Sequence, residues 1–209
     1  MIIETLVLGM YATNCYLVGS ESTKHGMIID PGADSNTVLN AVDKLGLSIN
    51  LIVVTHSHFD HIGAVKALKE ATGAEFVAHE ALGEGAWQTI TQTFGNMMSG
   101  SGGKPLKPDR KVKDGDLIDI DDLHFTVLHT PGHSQDGISL VGHGVVFSGD
   151  TLFNFGIGRT DFPGCSHARL MDSIKKKLMT MPDETIVYPG HGPQTTIGDE
   201  RKMNPFLRG

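Results

Sequence analysis

Apolar positions along the chain fall into short blocks, and the spacing inside each block decides what it forms. Residues 2–8 and 15–19 are dense in Ile, Leu and Val and are joined by the turn-rich GMYATN, which predicts two successive strands. A third block, GMIIDPG, ends on Asp30-Pro31-Gly32, a turn signal. Over 34–45 the residues Val38, Leu39, Val42 and Leu45 recur at helical spacing, with Asp34 or Ser35 as the N-cap and Gly46 as the stop. LIVVT (51–55) is a continuous apolar run, the pattern of a strand buried on both faces. GAVKALKEATG predicts a helix closed by Gly73, AEFVAH a strand, and residues 80–92 a further helix. The second half continues with strands near 116–120, 123–129, 137–141 and 144–148, a helix over 166–179, and the strand TIVYP. This order predicts an α/β or α+β fold. Residues 95–108, GNMMSGSGGKPLKP, interrupt the pattern, either as a flexible insertion over a site or as a plain loop tip.

The LIVVT run leads directly into His56-x-His58-x-Asp60-His61. In extended chain alternate side chains point the same way, so His56 and His58 can reach one ion. Asp60 and His61 follow one short turn later and can address a second point. A zinc-type ion needs at least three protein ligands, and catalytic sites keep one position open. Two metal points therefore need more donors than this motif holds. Three further residues stand just after apolar runs and among small residues: His133 in LHTPGHSQDG, Asp150 in VVFSGDTLF and His191 in TIVYPGHGPQTT. All four segments share one grammar of strand, tight turn and ligand. Imidazole and carboxylate donors without cysteine suit zinc, iron or manganese.

The order His-x-His-x-Asp-His, then His, Asp and His, resembles the metallo-β-lactamase superfamily over essentially the whole chain. The resemblance implies a four-layer αβ/βα sandwich, two mixed β-sheets flanked by helices. It implies one metal held by His56, His58 and His133, a second by Asp60, His61 and His191, and Asp150 bridging them. Asp30, in IIDPG, would be a structural acid beside the site. Within the superfamily, HTPGH, GDTLF, GIGRTDFPG and GHGPQTTIGDERKMNPFL are similar to short bacterial hydroxyacylglutathione hydrolase (glyoxalase II)-like proteins. That likeness implies one domain over 1–209, without the C-terminal helical glutathione-binding domain of the longer enzymes. Where those enzymes carry Lys-Phe-Tyr, this chain reads Arg159-Thr160-Asp161. Arg159 either anchors a substrate carboxylate or forms an internal salt bridge with Asp161 or Asp30.

The implied activity is hydrolysis of a thioester of the S-lactoylglutathione type. In that activity two divalent ions, zinc in the first instance, would share a water and supply a hydroxide for attack on the thioester carbonyl. Asp60 is the expected proton acceptor besides ligating metal. The alternative within the superfamily is a persulfide dioxygenase with a single iron, held by His58 or His56 with His133 and Asp150. A flavodiiron-like redox partner would need a flavodoxin-like extension, and glycine-flanked ligands suit access better than a closed structural site.

Composition narrows the partners. A formal net charge of −7 and the lack of a basic stripe argue against nucleic acid, and Lys175-Lys176-Lys177 is expected to be a solvated helix face. No apolar run has the length of a membrane span. MIIETLVLGM contains Glu4 and no basic leader, so a signal peptide is not expected. Cys15 and Cys165 stand far apart, which favours a reducing compartment and a cytoplasmic protein. Cys15 is expected to be buried and inert, and Ser57 and Ser134 to be local hydrogen-bond donors. His25, His124, His143 and His167 are expected to be exposed or structural, and His79 and His129 to support the site from behind. Trp87, Met97 and Met98 either line a substrate groove or pack as core or lid.

Overall fold

The computed structural model describes residues 1–81 and 106–208. Residues 82–92 of the expected helix and most of the 95–108 segment, with Trp87, Met97 and Met98, lie outside the described residues, and Glu80 and Ala81 form a turn. Two mixed six-stranded sheets form the centre. The first has the order β1 (Ile2–Leu8), β2 (Thr13–Gly19), β3 (His25–Ile29), β4 (Ser48–Val53), β5 (Glu75–His79) and β6 (Arg110–Val112). Its first three strands pair antiparallel and β3 to β6 run parallel. The second has the order β14 (Thr195–Thr196), β13 (Ile186–Pro189), β10 (Val145–Gly149), β9 (Ile138–Gly142), β8 (Leu123–His129) and β7 (Leu117–Ile120). Only β10 and β13 pair in parallel there. A separate two-stranded hairpin joins β11 (Leu152–Phe153) to β12 (Gly156–Ile157).

Alternation along the strands explains the layers. Tyr16, Val18, Met27, Ile29, Val53 and Val77 face Ile118, Phe125, Val127, Leu140 and Phe147 across the gap between the sheets. The residues between them, Cys15, Leu17, Ile28, Ile52 and Phe76, point outward against α1 (Ser35–Leu45) and α3 (Val65–Thr72). LIVVT is apolar throughout because both of its faces are covered in this way. On the far side, Val146 and Val187 meet Leu170 of α4 (His167–Ser173), Ile174 and Leu178 of the π-helical turn that extends it, and Ile197 of α5 (Ile197–Met203). The result is the helix–sheet–sheet–helix sandwich that the resemblance implied. No helix among the described residues is long and apolar enough to cross a membrane.

Local differences from the sequence reading have simple causes. Asp34 does precede α1, but in a left-handed conformation with no side-chain cap bond, because its carboxylate accepts from the Gly9 amide instead. The helix expected from residue 63 is preceded by a separate turn, α2 (Phe59–Ile62), inside the histidine motif. β6, β11, β12, β14 and α5 are additions, all short and without a periodic pattern. The lysine run is solvated, with Lys176 paired to Asp172 and Lys177 to Asp114.

Candidate metal centre

Strand direction brings the motifs together. β8, β10 and β13 run the same way, so the chain leaves all three at one edge of the second sheet. The ends of β3 and β4 face that edge from the first sheet, and backbone bonds stitch the two. The Asn14 amide donates to Gly190 O, and the Ile138 amide to Thr55 O. Asn14 Nδ2 and the Tyr16 hydroxyl both donate to Pro189 O, at 2.9 and 2.6 Å. Glycine is required at 190, where a Cβ would fall on the Asp150 carboxylate.

His56, His58, Asp60, His61, His133, Asp150 and His191 all arrive at this edge. Their donor atoms form three overlapping groups: His56–His58–His133, His56–His61–Asp150 and Asp60–His61–His191. Asp150 sits between the outer two. Its Oδ2 is 3.4 Å from His133 Nε2 and 3.6 Å from His191 Nε2, and its Oδ1 is 3.5 Å from His61 Nε2. Asp60 Oδ2 is 3.3 Å from His191 Nε2.

The partners behind the rings set which nitrogen faces inward. His133 Nδ1 lies 2.9 Å from the Arg159 carbonyl, an acceptor, so it carries the proton and Nε2 presents a lone pair. Thr55 Oγ1 donates to Asp30 Oδ2 and is left to accept from His56 Nδ1 at 3.2 Å, so His56 Nε2 also presents a lone pair. Both lone pairs converge on His58 Nδ1, at 2.9 and 3.0 Å, where one proton at most is available. Nearby, the buried His61 Nε2 and Asp150 Oδ1 have no hydrogen-bond partner. Crowded lone pairs beside orphaned buried atoms are what a bound cation satisfies.

Charge around the site agrees. Burial, with the neighbouring rings adding to it, pushes His58 down to about 4 and His56 well below the ordinary histidine value. His61 is moved the other way. Burial opposes its charge, but the carboxylates of Asp150, Asp30 and Asp60 prevail and lift it to about 9. Burial likewise opposes ionisation of Asp60, yet the His191 bond and the His61 charge bring it to about 2. The acidic half of the cluster thus draws a positive charge into a buried place, and the donor set suits divalent metal ions.

Asp30 is the structural acid the sequence pointed to. It accepts from the Thr55 amide and hydroxyl, both at 2.6 Å, and holds His61 Nδ1 at 2.9 Å. Arg159 reaches the rim of the cleft, but its guanidinium is paired with Asp161 at 2.7 and 2.6 Å and lies 4.0 Å over the Phe162 ring. His79 and His129 stack on one another, 4.1 Å apart; His129 Nε2 bonds the Gln135 carbonyl and His79 accepts from the Ala81 amide. His129 thereby touches the loop that follows His133. Cys15 is buried, and burial raises its thiol well above the ordinary range.

Several contributors were invisible in the sequence. The Arg159 carbonyl is one, since a backbone acceptor has no residue signature. Asp136 is another: it is buried, burial raises its carboxyl, and bonds from the Ser57 hydroxyl and amide oppose that. The aromatic walls are a third. Tyr11 and Phe59, edge to face at 4.9 Å, stand on one side of a cleft of about 570 Å³ over the cluster, with Phe153, Ile157 and Phe162 on the other.

The wider likenesses fit this geometry. The chain is 35% identical to hydroxyacylglutathione hydrolase GloC of Haemophilus influenzae, over 99% of this chain and 98% of that protein. Among solved structures, the BLEG-1 B3 metallo-beta-lactamase matches at 35% identity and TM-score 0.87, covering 100% of both chains. ETHE1 from Myxococcus xanthus matches at 35% identity and TM-score 0.83, over 98% of this chain and 84% of that one. TTHA1623 in a di-iron-bound form matches at 37% and 0.81, over 98% and 100%. The sequence profile of the metallo-beta-lactamase superfamily matches residues 8–191, from the end of β1 to the last histidine of the cluster. With sandwich, motif order and converging donors in agreement, the chain belongs to the metallo-beta-lactamase superfamily.

Proposed function

We propose that this metal-dependent hydrolase is a binuclear thioesterase acting on hydroxyacylglutathione-type thioesters. The observation that carries the reading is Asp150, whose carboxylate stands within 3.4–3.6 Å of nitrogens from both outer donor groups. In this reading His56, His58 and His133 hold one divalent ion, Asp60, His61 and His191 hold the other, and Asp150 joins them. Zinc is the proposed metal; the di-iron form of TTHA1623 shows that a related fold also accepts two irons. Bound there, such ions supply Lewis acidity and a water of lowered pKa.

The chain's own residues do the rest. Asp30 fixes His61 and the Thr55 turn, so the donors are set before substrate arrives. Asp60, whose Oδ2 also accepts from Thr13 Oγ1 at 3.3 Å, is the proposed proton acceptor. The aromatic walls offer apolar surface to a bound substrate. Arg159 meets a substrate carboxylate once Asp161 gives way. Overall, the C–S bond is replaced by a C–O bond, releasing a carboxylate and a thiol. The name of the Haemophilus relative supports a glutathione thioester, and residues 1–209 act as one domain. The two free cysteines suit a reducing compartment, and we place the protein in the cytoplasm.

A second reading draws on His133 and Asp150, 3.4 Å apart, with His58 or His56, because two histidines and one carboxylate also suit a mononuclear iron oxygenase. A persulfide dioxygenase is that alternative. Metal content per chain, measured with S-lactoylglutathione hydrolysis and with oxygen uptake on glutathione persulfide, separates the two. Two metals with thioester cleavage is the expected result; one iron with oxygen uptake and no cleavage overturns it.

A further inference from the structure

Beside the cleft, on its Asp60 side, lies a second hollow of about 310 Å³. Tyr11, Phe59 and Asp60 line both, so the edge-to-face pair of rings is the sill between them. Beyond the sill the walls are Leu8, Met10 and Ala33. The bond from the Gly9 amide to Asp34 Oδ2, 2.9 Å, ties the β1–β2 turn to the start of α1 and closes the far end. Met10 is 90% exposed and Tyr11 53%. Apolar side chains held open in this way gain most from an apolar occupant.

Charge selects which part of a substrate enters. The charged side chains lining the hollow among the described residues are Asp34 and Asp60, both acidic. Arg159, paired with Asp161, lines the cleft and not the hollow. The Asp34 carboxylate therefore disfavours an anionic thiol arm in the hollow, while Arg159, once Asp161 gives way, receives that arm on the opposite side of the cluster. A thioester lying over the cluster with its thiol arm on the Arg159 side has its acyl group pointing at the sill.

We propose that the hollow between the β1–β2 turn and α1 is an acyl subsite that takes an unbranched apolar acyl chain, longer than lactoyl, from a thioester with an anionic thiol arm. The assignment rests on the thioester reading and adds the class of acyl group.

The test uses the full metal-loaded protein and S-alkylglutathiones, which carry the thiol arm but have no bond to hydrolyse. Binding of S-methyl-, S-butyl- and S-hexylglutathione is measured by calorimetry. The expected gain is about fourfold in affinity per buried methylene up to the length of the hollow. Ala33→Phe fills the hollow; it is expected to abolish the gain for the hexyl compound and leave S-methylglutathione unchanged. Met10→Glu, at an exposed position that folding tolerates, places a carboxylate on the wall and is expected to do the same if Ala33→Phe does not fold. S-Hexylglutathione binding no tighter than S-methylglutathione overturns the proposal, as does an equal loss of all three ligands in both variants. In parallel, kcat/KM for S-(2-hydroxyhexanoyl)glutathione is expected to exceed that for S-lactoylglutathione in the wild type, with the order reversed in the variants. Chain-length-dependent binding with no hydrolysis of either thioester would support the subsite while refuting the thioesterase reading.

Discussion

Arg159 is held in the internal salt bridge, and its neighbour decides whether it is free for the proposed carboxylate anchor. The bidentate pair with Asp161 is exposed, so it adds little to stability, yet it occupies the donors that a substrate carboxylate would use. Asp161→Asn is expected to lower KM for an anionic thioester several-fold, with kcat and Tm nearly unchanged; a raised KM would mean that Asp161 positions Arg159 for substrate. His79 offers a pH test. Burial, with the His129 charge adding to it, lowers its pKa from 6.5 to about 4. The unfolded chain thus binds a proton that the folded chain does not between those values, and stability falls as pH drops from 6.5 toward 4. In metal-free protein, His79→Phe is expected to lessen the loss of urea midpoint between pH 7 and pH 5, and an identical loss in both proteins would contradict this. The donors themselves were legible in the sequence, because each stands on a strand, tight turn, ligand pattern that residue types encode. Their supports, such as the Arg159 carbonyl behind His133, were not, since a carbonyl at 2.9 Å is supplied by backbone that any residue could provide.

Among the elements, the β11–β12 hairpin is where reading from sequence fell short. Two-residue strands give no periodicity to detect. The turn of this hairpin is held from beneath by Glu200 of α5. Its buried carboxylate accepts from the Phe155 amide at 3.1 Å, from Thr195 Oγ1 at 2.7 Å and from Asn204 Nδ2 at 2.7 Å. Phe155 is left-handed there, with φ 56°, and the Phe153 ring of the hairpin lies 6.2 Å from that of His191. Glu200→Gln turns one acceptor into a donor facing other donors. It is expected to cost about 2 kcal/mol of stability in urea unfolding and to raise KM more than it lowers kcat. Unaltered stability would show that the carboxylate is not needed. α5 itself has a readable start, since Thr196 accepts from the Asp199 amide three residues on, but a seven-residue helix is too short to stand out by pattern.

At the scale of the whole molecule, the first sheet supplies the His56–His61 segment and the second supplies His133, Asp150 and His191, so cations held here join the two sheets. Ligands that bind only the folded state stabilise it by about 2.7 kcal/mol at a hundred times Kd. Stripping the metals with a chelator is expected to lower Tm by about 5–10 °C, and an unchanged Tm after verified metal removal would place the donors in a prearranged site that needs no ion for stability. The layered architecture was foreshadowed by motif order, whereas the seam between the sheets was not, because pairings between distant segments leave no local trace. That seam also sets a timetable. The Asn14 side chain bonds a carbonyl 175 residues further along the chain, and His191 follows that carbonyl by two positions. Contacts at such a separation are expected to close after the local ones within each sheet. The His191 donor therefore reaches Asp60 and His61 only when the two sheets have docked, and that group of donors belongs to the assembled sandwich and to neither sheet alone.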